Sequence, residues 1–301
     1  MAAVNSKMMP AKSLTWAKRR ENLRRNWYKF SRNRLSVVGL STVLLVTFLA
    51  LFAPVVAPYP KHASAFVDFA NASRPPCREY PFGTDVVGRD ILSRIFFGFR
   101  FSLTMGVVVL SLVVPVGVIL GLAAGYAQGT RLDTVIMRTT DIFLAIPSLV
   151  LALAICSVLT PNLFNAMLAV SLMWWPWYAR LVYGLASTLR NEFFVASAET
   201  MGASRFHILF REILPNCISP IFTKMSLDMG WVILIGASLS FVGLGVQPPR
   251  PGLGTMVADG YNYLPDQWWI AVFPALAIVV VVLGFNLLGD GLRDMLAAEE
   301  V

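Results

Sequence analysis

Six stretches of the chain are apolar almost without interruption, at about 35–57, 102–125, 142–160, 164–183, 218–242 and 268–288. Each holds the ~20 residues that a helix needs to cross a hydrocarbon core about 30 Å thick. None shows the strict apolar–polar alternation of a half-buried strand. Inside a bilayer every backbone N–H and C=O must be satisfied by helix or closed barrel, so the pattern predicts an all-α membrane protein of about six transmembrane helices. The third and fourth segments are joined only by 160–162 and contain Pro147 and Pro176. Proline is tolerated in a span when neighbours re-satisfy the freed carbonyl, and both are kept as spans.

Composition agrees. The 301 residues are 56% hydrophobic and only 14% charged, with a mean hydropathy of +0.65. A soluble domain carries about 25% charged residues, so this chain has too little polar material to coat a water-facing globule. Charge is also unevenly placed. Residues 1–34 hold ten Lys and Arg against Glu21 alone, a net of +9 that exceeds the whole chain's +8. The basic excess therefore belongs to one tail rather than to a nucleic-acid-binding face. Basic residues beside the first span hold that side in the cytoplasm.

Six spans return the C-terminus to the same side. Residues 126–141 and 184–217 become inner loops, and 58–101 and 243–267 outer ones. The chain divides into a basic cytoplasmic N-terminal tail (1–34), a first span with its outer loop (35–100), a five-helix transmembrane domain (101–290) and a cytoplasmic C-terminal tail (291–301). The charged region is too long, and the apolar run exceeds the core of about 7–15 residues, for a cleaved signal peptide. An uncleaved anchor is the reading. In 16–30, Trp27, Tyr28 and Phe30 mix with basic residues, which suits either a helix on the inner membrane surface or a disordered basic tail.

Several chemistries lack their residues. Cys77, Cys156 and Cys217 fall outside, within a span and near the inner face, so no disulfide is expected. With only His62 and His207, and no Cys/His cluster, a zinc site lacks ligands. No Gly-x-x-x-x-Gly-Lys-Ser/Thr motif exists to cradle ATP. Gly236–Ser238 could suggest an intramembrane serine protease, but its base would have to be His207, in an inner loop rather than on a facing helix.

The longest inner loop contains Ala196-Ser-Ala-Glu199, Gly202-Ala-Ser204 and Ile213-Leu-Pro215. Small residues here allow another protein surface to approach closely. Gly202 permits a sharp turn between two short helices, and Pro215 fixes the entry into the fifth span. The loop resembles the cytoplasmic loop of permease subunits of binding-protein-dependent ABC importers, whose form is Glu-Ala-Ala, three residues, Gly, nine residues, Ile-x-Leu-Pro. Gly202 and Pro215 keep that spacing. Ala196-Ser197-Ala198 replaces Glu-Ala-Ala, Glu199 comes one position late, and Glu212 takes the isoleucine position.

Further stretches resemble the second, C-type permease of the dipeptide/oligopeptide/nickel class from about Arg24 to Asp294. They are Gly83-Thr-Asp-Val-Val-Gly-Arg-Asp90 with Ser93-Arg94, Gln247-Pro-Pro-Arg-Pro251 with Gly254-Thr-Met256, and Phe285-Asn-Leu-Leu-Gly-Asp-Gly-Leu-Arg-Asp294. Leu253 stands where many members have Trp, which bears on solute or receptor contact at the outer face. Ala297-Ala298 replaces a common Asp-Pro.

The resemblance implies a type I ABC importer transmembrane domain in a bacterial cytoplasmic (inner) membrane. The expected partners are a second homologous permease in a heterodimer, two cytoplasmic ATPases that bind ATP and Mg, and an extracytoplasmic solute-binding protein. Ala196, Ser197, Ala198, Glu199, Gly202, Ala203, Ser204 and Pro215 would form the ATPase-coupling loop. The chain itself would hold no cofactor and catalyse no reaction. Peptides are the first solute class; nickel, glutathione, opines and sugars are carried by other relatives.

Residue chemistry supplies the remaining expectations. Asp228 follows Lys224 at helical spacing that permits a pair, and Asp141 follows Arg138 by three. Asp85 and Asp90 are expected to pair with Arg89 or Arg94 and stiffen the outer loop. Trp268-Trp269 reads as an interfacial aromatic belt. Trp174, Trp175 and Trp177 read as core packing, with lining of a permeation path as the alternative. Asp228 and Trp175 are the candidates for the translocation path. A self-sufficient ion-coupled secondary transporter is the competing function; it would need an intramembrane ionisable relay and usually an inverted repeat.

Overall fold

A computed structural model describes residues 21, 24, 25 and 27–296. The basic stretch from Lys7 to Arg20, the part of 16–30 before Glu21, and Ala297-Ala298 lie outside them. The described chain is helical apart from its connecting loops, with one isolated antiparallel bridge between Thr84 and Asp90. The principal helices are α1 (Arg34–Leu51), α2 (Ile91–Tyr126), α3 (Arg131–Leu144), α4 (Ser148–Val158), α5 (Leu163–Leu189), α6 (Phe193–Thr200), α7 (Leu214–Phe241), α8 (Leu253–Tyr261) and α9 (Trp269–Leu296).

By length and apolarity α1, α2, the run Arg205–Phe241 that contains α7, and α9 can each cross a membrane, and the bent pair α3–α4 is a fifth if its two halves are counted as one broken span. Helix α5 is also long enough, with 27 residues, or ~40 Å at 1.5 Å per residue. Its Asn165, Pro176 and Arg180 lower its apolarity.

Three of the expected boundaries move. The second span begins at Ile91 rather than at 102, because Asp90 caps it: Asp90 Oδ2 accepts from the Ser93 N–H at 2.8 Å and from Ser93 Oγ at 2.5 Å. The third span is not straight. Helix α3 occupies most of the expected inner loop, and α4 leaves it at 87°. Pro147, the N-cap of α4, accounts for the break, since the residue before a proline is pushed out of helical geometry. The 11 residues of α4 rise only ~16 Å, about half of the hydrocarbon core. The C-terminal tail is helical through Leu296 as the end of α9.

The most extensive helix contact joins α2 to α5, along a seam of Gly117, Gly121 and Gly125. A Cβ at Gly117 would lie 2.5 Å from Tyr178 Cβ, at Gly121 2.6 Å from the Ala179 carbonyl oxygen, and at Gly125 2.7 Å from Ala186 Cβ. Small residues one turn apart let two backbones touch, and in a membrane that van der Waals contact replaces the missing hydrophobic drive. Helices α1 and α9 meet the same way, with Gly39 against the backbone of Leu287 and Leu288.

At the Asp90 end the loop before α2 folds over a buried polar cluster. Asp85 Oδ2 accepts from Arg89 Nε at 2.7 Å and pairs with Arg94 Nε at 3.6 Å. Asp90 makes no arginine pair, contrary to expectation, because its carboxylate is committed to the helix cap. His62 Nδ1 accepts from the Asp90 N–H at 2.9 Å, and Arg94 donates to the His62 carbonyl at 3.1 Å. Trp269 is buried rather than interfacial and donates from Nε1 to the Thr84 carbonyl, whereas Trp268 is 46% exposed. Leu253 is also buried, against Gly98, so it offers no surface to a receptor.

Two predictions follow from this packing. Gly121→Val drives a side chain into the Ala179 carbonyl and should abolish a cooperative thermal transition in detergent. Gly184→Ala, at an exposed helical site where a Cβ meets nothing within 4 Å, should leave stability unchanged or raise it by about 0.5–1 kcal/mol. Equal melting of the two variants would refute the seam. Burial pulls His62 below its ordinary value of 6.5, against the opposing pull of Asp90, Asp85 and Asp68. The folded state therefore favours neutral His62. Its contribution is present above about pH 6.5 and is lost as pH falls through the lowered folded value. Amide exchange at Asp90, corrected for intrinsic rate, should accelerate between pH 8 and pH 5; unchanged protection would show that His62 does not hold this loop.

Candidate functional site

The expected coupling loop is a helix–turn–helix packed on the bundle by Val195 and Ala198 and exposed on its other face. Helix α6 ends in a Schellman turn: the Ala203 N–H donates to the Ala198 carbonyl at 3.0 Å and the Gly202 N–H to the Glu199 carbonyl at 2.9 Å. Gly202 has φ +81° with open space around its α-carbon, so glycine is required by backbone geometry and not by crowding. Ser204 caps the next turn, accepting from the His207 N–H. The chain then passes through a π-helical segment, Ile208–Ile213, into α7, with Pro215 exposed in the first turn.

Val195 and Ala198 face inward, while Ala196, Ser197, Glu199 and Ser204 are exposed and Ala203 is half-buried. Large apolar side chains point away from the bundle: Phe193 is 90% exposed, Met201 81% and Phe206 71%. Sequence reasoning passed over these three, although apolar residues flanking a run of small ones were there to be seen. The turn is tied to the bundle by Tyr126, whose hydroxyl donates to Glu199 Oε1 at 3.0 Å, while the Arg190 guanidinium lies 5.2 Å from the Tyr126 ring centre.

A second cluster sits in the middle of the bundle. Asp228 on α7 accepts from Trp174 Nε1 at 3.0 Å and from Lys224 Nζ at 3.2 Å. The expected Lys224–Asp228 pair is thus present, and an indole N–H from α5 completes it. Trp175 points elsewhere. It packs edge-on against Phe143 at 5.6 Å, and the cavity beside Asp228 is lined by Trp174, Trp177 and Trp231 instead. One residue along a helix turns a side chain by ~100°, which the run of tryptophans conceals from sequence inspection. Asp141 pairs with Arg180 of α5 and not with Arg138, because α3 packs on α5 and turns that carboxylate across the interface.

Comparison with known proteins places the chain in a family. The family described as "Binding-protein-dependent transport system inner membrane component" matches residues 117–299, and "N-terminal TM domain of oligopeptide transport permease C" matches 22–76. The probable D,D-dipeptide transport system permease protein DdpC of Escherichia coli is 43% identical over 87% of this chain and 87% of its own length. The di/tripeptide transport system permease protein DppC of Pseudomonas aeruginosa is 42% identical over 91% of each. The glutathione transport system permease protein GsiD of Pectobacterium atrosepticum is 39% identical over 90% of this chain and 89% of its own.

Among solved structures, a chain of the inward-facing MetNI methionine ABC transporter superposes with a TM-score of 0.54 at 19% identity. It covers 64% of this chain and 91% of that one, a likeness of fold. The chain belongs to the binding-protein-dependent transport system inner membrane component family, as a permease of the dipeptide/oligopeptide type of ABC importer.

Proposed function

We propose that this chain forms one half of the membrane pathway of a peptide importer, paired with a second, homologous permease. Two ATPase subunits, which bind ATP and Mg, dock on the cytoplasmic side, and a solute-binding protein delivers peptide from outside. Peptide as cargo rests on the relatives named for dipeptides and di/tripeptides. The basic tail supports a cytoplasmic N-terminus, with the Gly202 turn on the same, ATPase-facing side.

The observation that carries this reading is the α6 turn itself. The outer face of this helix, with small residues beside exposed Phe193, Met201 and Phe206, presents apolar surface that a monomer has no use for. Seated in an ATPase cleft, it would transmit ATPase closure to the spans. Closure draws the two coupling helices together and favours an outward-open pathway; hydrolysis restores the inward-open one. ATP can shift that equilibrium only through the difference in its affinity for the two states. Asp228 and the cavity beside it are the proposed stretch of pathway contributed by this chain. No bond of the solute is made or broken here.

The test is co-purification of the tagged chain with its co-expressed neighbours, followed by ATPase assay in lipid. The unaltered chain should retain an ATPase. Gly202→Asp should lose it, whereas Gly202→Ala, at a cost of about 1–2 kcal/mol for a left-handed residue, should weaken association and keep the fold. If the chain purifies alone and moves peptide down an ion gradient, the importer reading is wrong and a secondary transporter replaces it.

A further inference from the structure

Two lobes of about 510 and 320 Å³ open beside α7, the larger toward α9 and the smaller toward α5, and share Lys224, Asp228 and Trp231. Small-molecule sites span roughly 300–1,000 Å³. What the lobes could hold is decided by their charges. Asp228 is unavailable to a cation, since its carboxylate is 6% exposed and already accepts from Trp174 and Lys224. Lys224 is different. Its side chain is 25% exposed, and an ammonium carries three N–H donors, more than one carboxylate on one side can use.

The ring centres of Trp177 and Tyr178 lie 5.7 and 5.4 Å from its nitrogen. They hold the ammonium electrostatically without accepting a conventional hydrogen bond from it. Arg293 from α9 lines the larger lobe. Among the described residues that line the lobes, two cations thus meet one carboxylate, which is already satisfied. An ionisable residue kept partly open within a membrane bundle is a functional-site signal, and neutralising Asp228 alone requires neither the opening nor a second cation. The exposed indoles of Trp177 and Trp231, 44% and 54% accessible, give the same space apolar walls.

We infer that the double lobe is a subsite for the free carboxylate of the transported solute. Lys224 receives the carboxylate, Arg293 adds positive field, and the indoles of Trp177 and Trp231 take the apolar side chain next to it. The ligand class is a short peptide with an unblocked C-terminus. This rests on the peptide-permease reading above and gives the membrane subunit a recognition step of its own, separate from that of the solute-binding protein.

The experiment uses the assembled complex in lipid nanodiscs without solute-binding protein, following tryptophan emission during titration with L-alanyl-L-phenylalanine or its C-terminal amide. The free acid should give a saturable change and the amide should bind at least about tenfold more weakly, the value of a lost charge-assisted hydrogen bond. Lys224→Gln should bring the acid down to the amide's affinity and leave the amide unchanged; Arg293→Gln should weaken the acid by a smaller factor. Acid and amide titrating alike, neither titrating, or Lys224→Gln preserving the acid preference would overturn the subsite. Should Lys224→Gln fail to fold, the acid-to-amide ratio of the unaltered complex decides alone. ATP-driven peptide uptake by the same complex, with binding protein added, separates the two claims. Uptake without acid preference leaves the importer standing and removes the subsite; acid preference without ATP-driven uptake keeps the subsite and removes the importer.

Discussion

The close approach of α2 and α5 is the constraint on which most of the structure depends. Lipid is as apolar as leucine, so helices in a membrane gain little by merely hiding apolar surface, and contact area at short range has to supply the association. Gly117, Gly121 and Gly125 supply it by bringing the α2 backbone onto Tyr178, Ala179, Val182 and Ala186. Because α2 runs for 36 residues, ~54 Å, the same helix carries the Asp90 cap at one end and Tyr126 at the other. The seam fixes the rotation of α5 about its axis, which in turn aims Trp174 at Asp228 and Arg180 at Asp141.

Charge placement follows from that rotation. An ionised group in hydrocarbon is costly unless it is paired, and Asp141 and Asp228 find partners on α5, the helix held by the glycine contact, or one turn away. Asp228 uses both devices: Lys224 one turn back on α7, and the Trp174 indole from α5. A buried pair that loses one partner is left with an uncompensated charge, so α5 cannot rotate freely against α7 without exposing Asp228 to that cost. The outer polar cluster is tied down comparably, with Asp85 between Arg89 and Arg94 and the Asp90 N–H closed by His62.

The sequence disclosed the long helices, the Lys224–Asp228 pair and the turn at Gly202, since each is written in local spacing. It misled where a local signal was diluted. Arg94 and Arg100 hide the first turns of α2 from a hydropathy window, although Asp90 with Ser93 three residues on is a readable cap. Pro147 could be read as a tolerated kink or as the end of a helix, and the 87° bend is the second outcome. The partner of Asp141 depends on which helix packs against α3, and no spacing within α3 reveals that. Trp175 was singled out from a run in which Trp174 and Trp177 line the cavity; the distinction is one of helical phase, set only once the glycine seam has oriented α5. The Gly-x-x-x-Gly-x-x-x-Gly pattern was itself visible, but its partner surface of Tyr178, Ala179 and Ala186 was not.

The distribution of tight and loose contacts also bears on how such a bundle could move. Helices α2 and α5 behave as one body, and so do α1 and α9, because separating either pair would open voids along a backbone contact. The contact between α5 and α7 is much less extensive and borders the two open lobes that share Lys224, Asp228 and Trp231. Helix α6 lies between these bodies, joined to α7 through the Gly202 turn and the π-helical segment and to α2 through the Glu199–Tyr126 hydrogen bond. A displacement of α6 is therefore passed to α5 through the short connection 190–192 and to α7 through the Gly202 turn, with the Glu199–Tyr126 hydrogen bond as a further tie to α2. The relative motion of α5 and α7 is concentrated at the interface that borders the cavity, so a pull on the exposed turn changes the shape of the space around Lys224 before it strains either glycine seam.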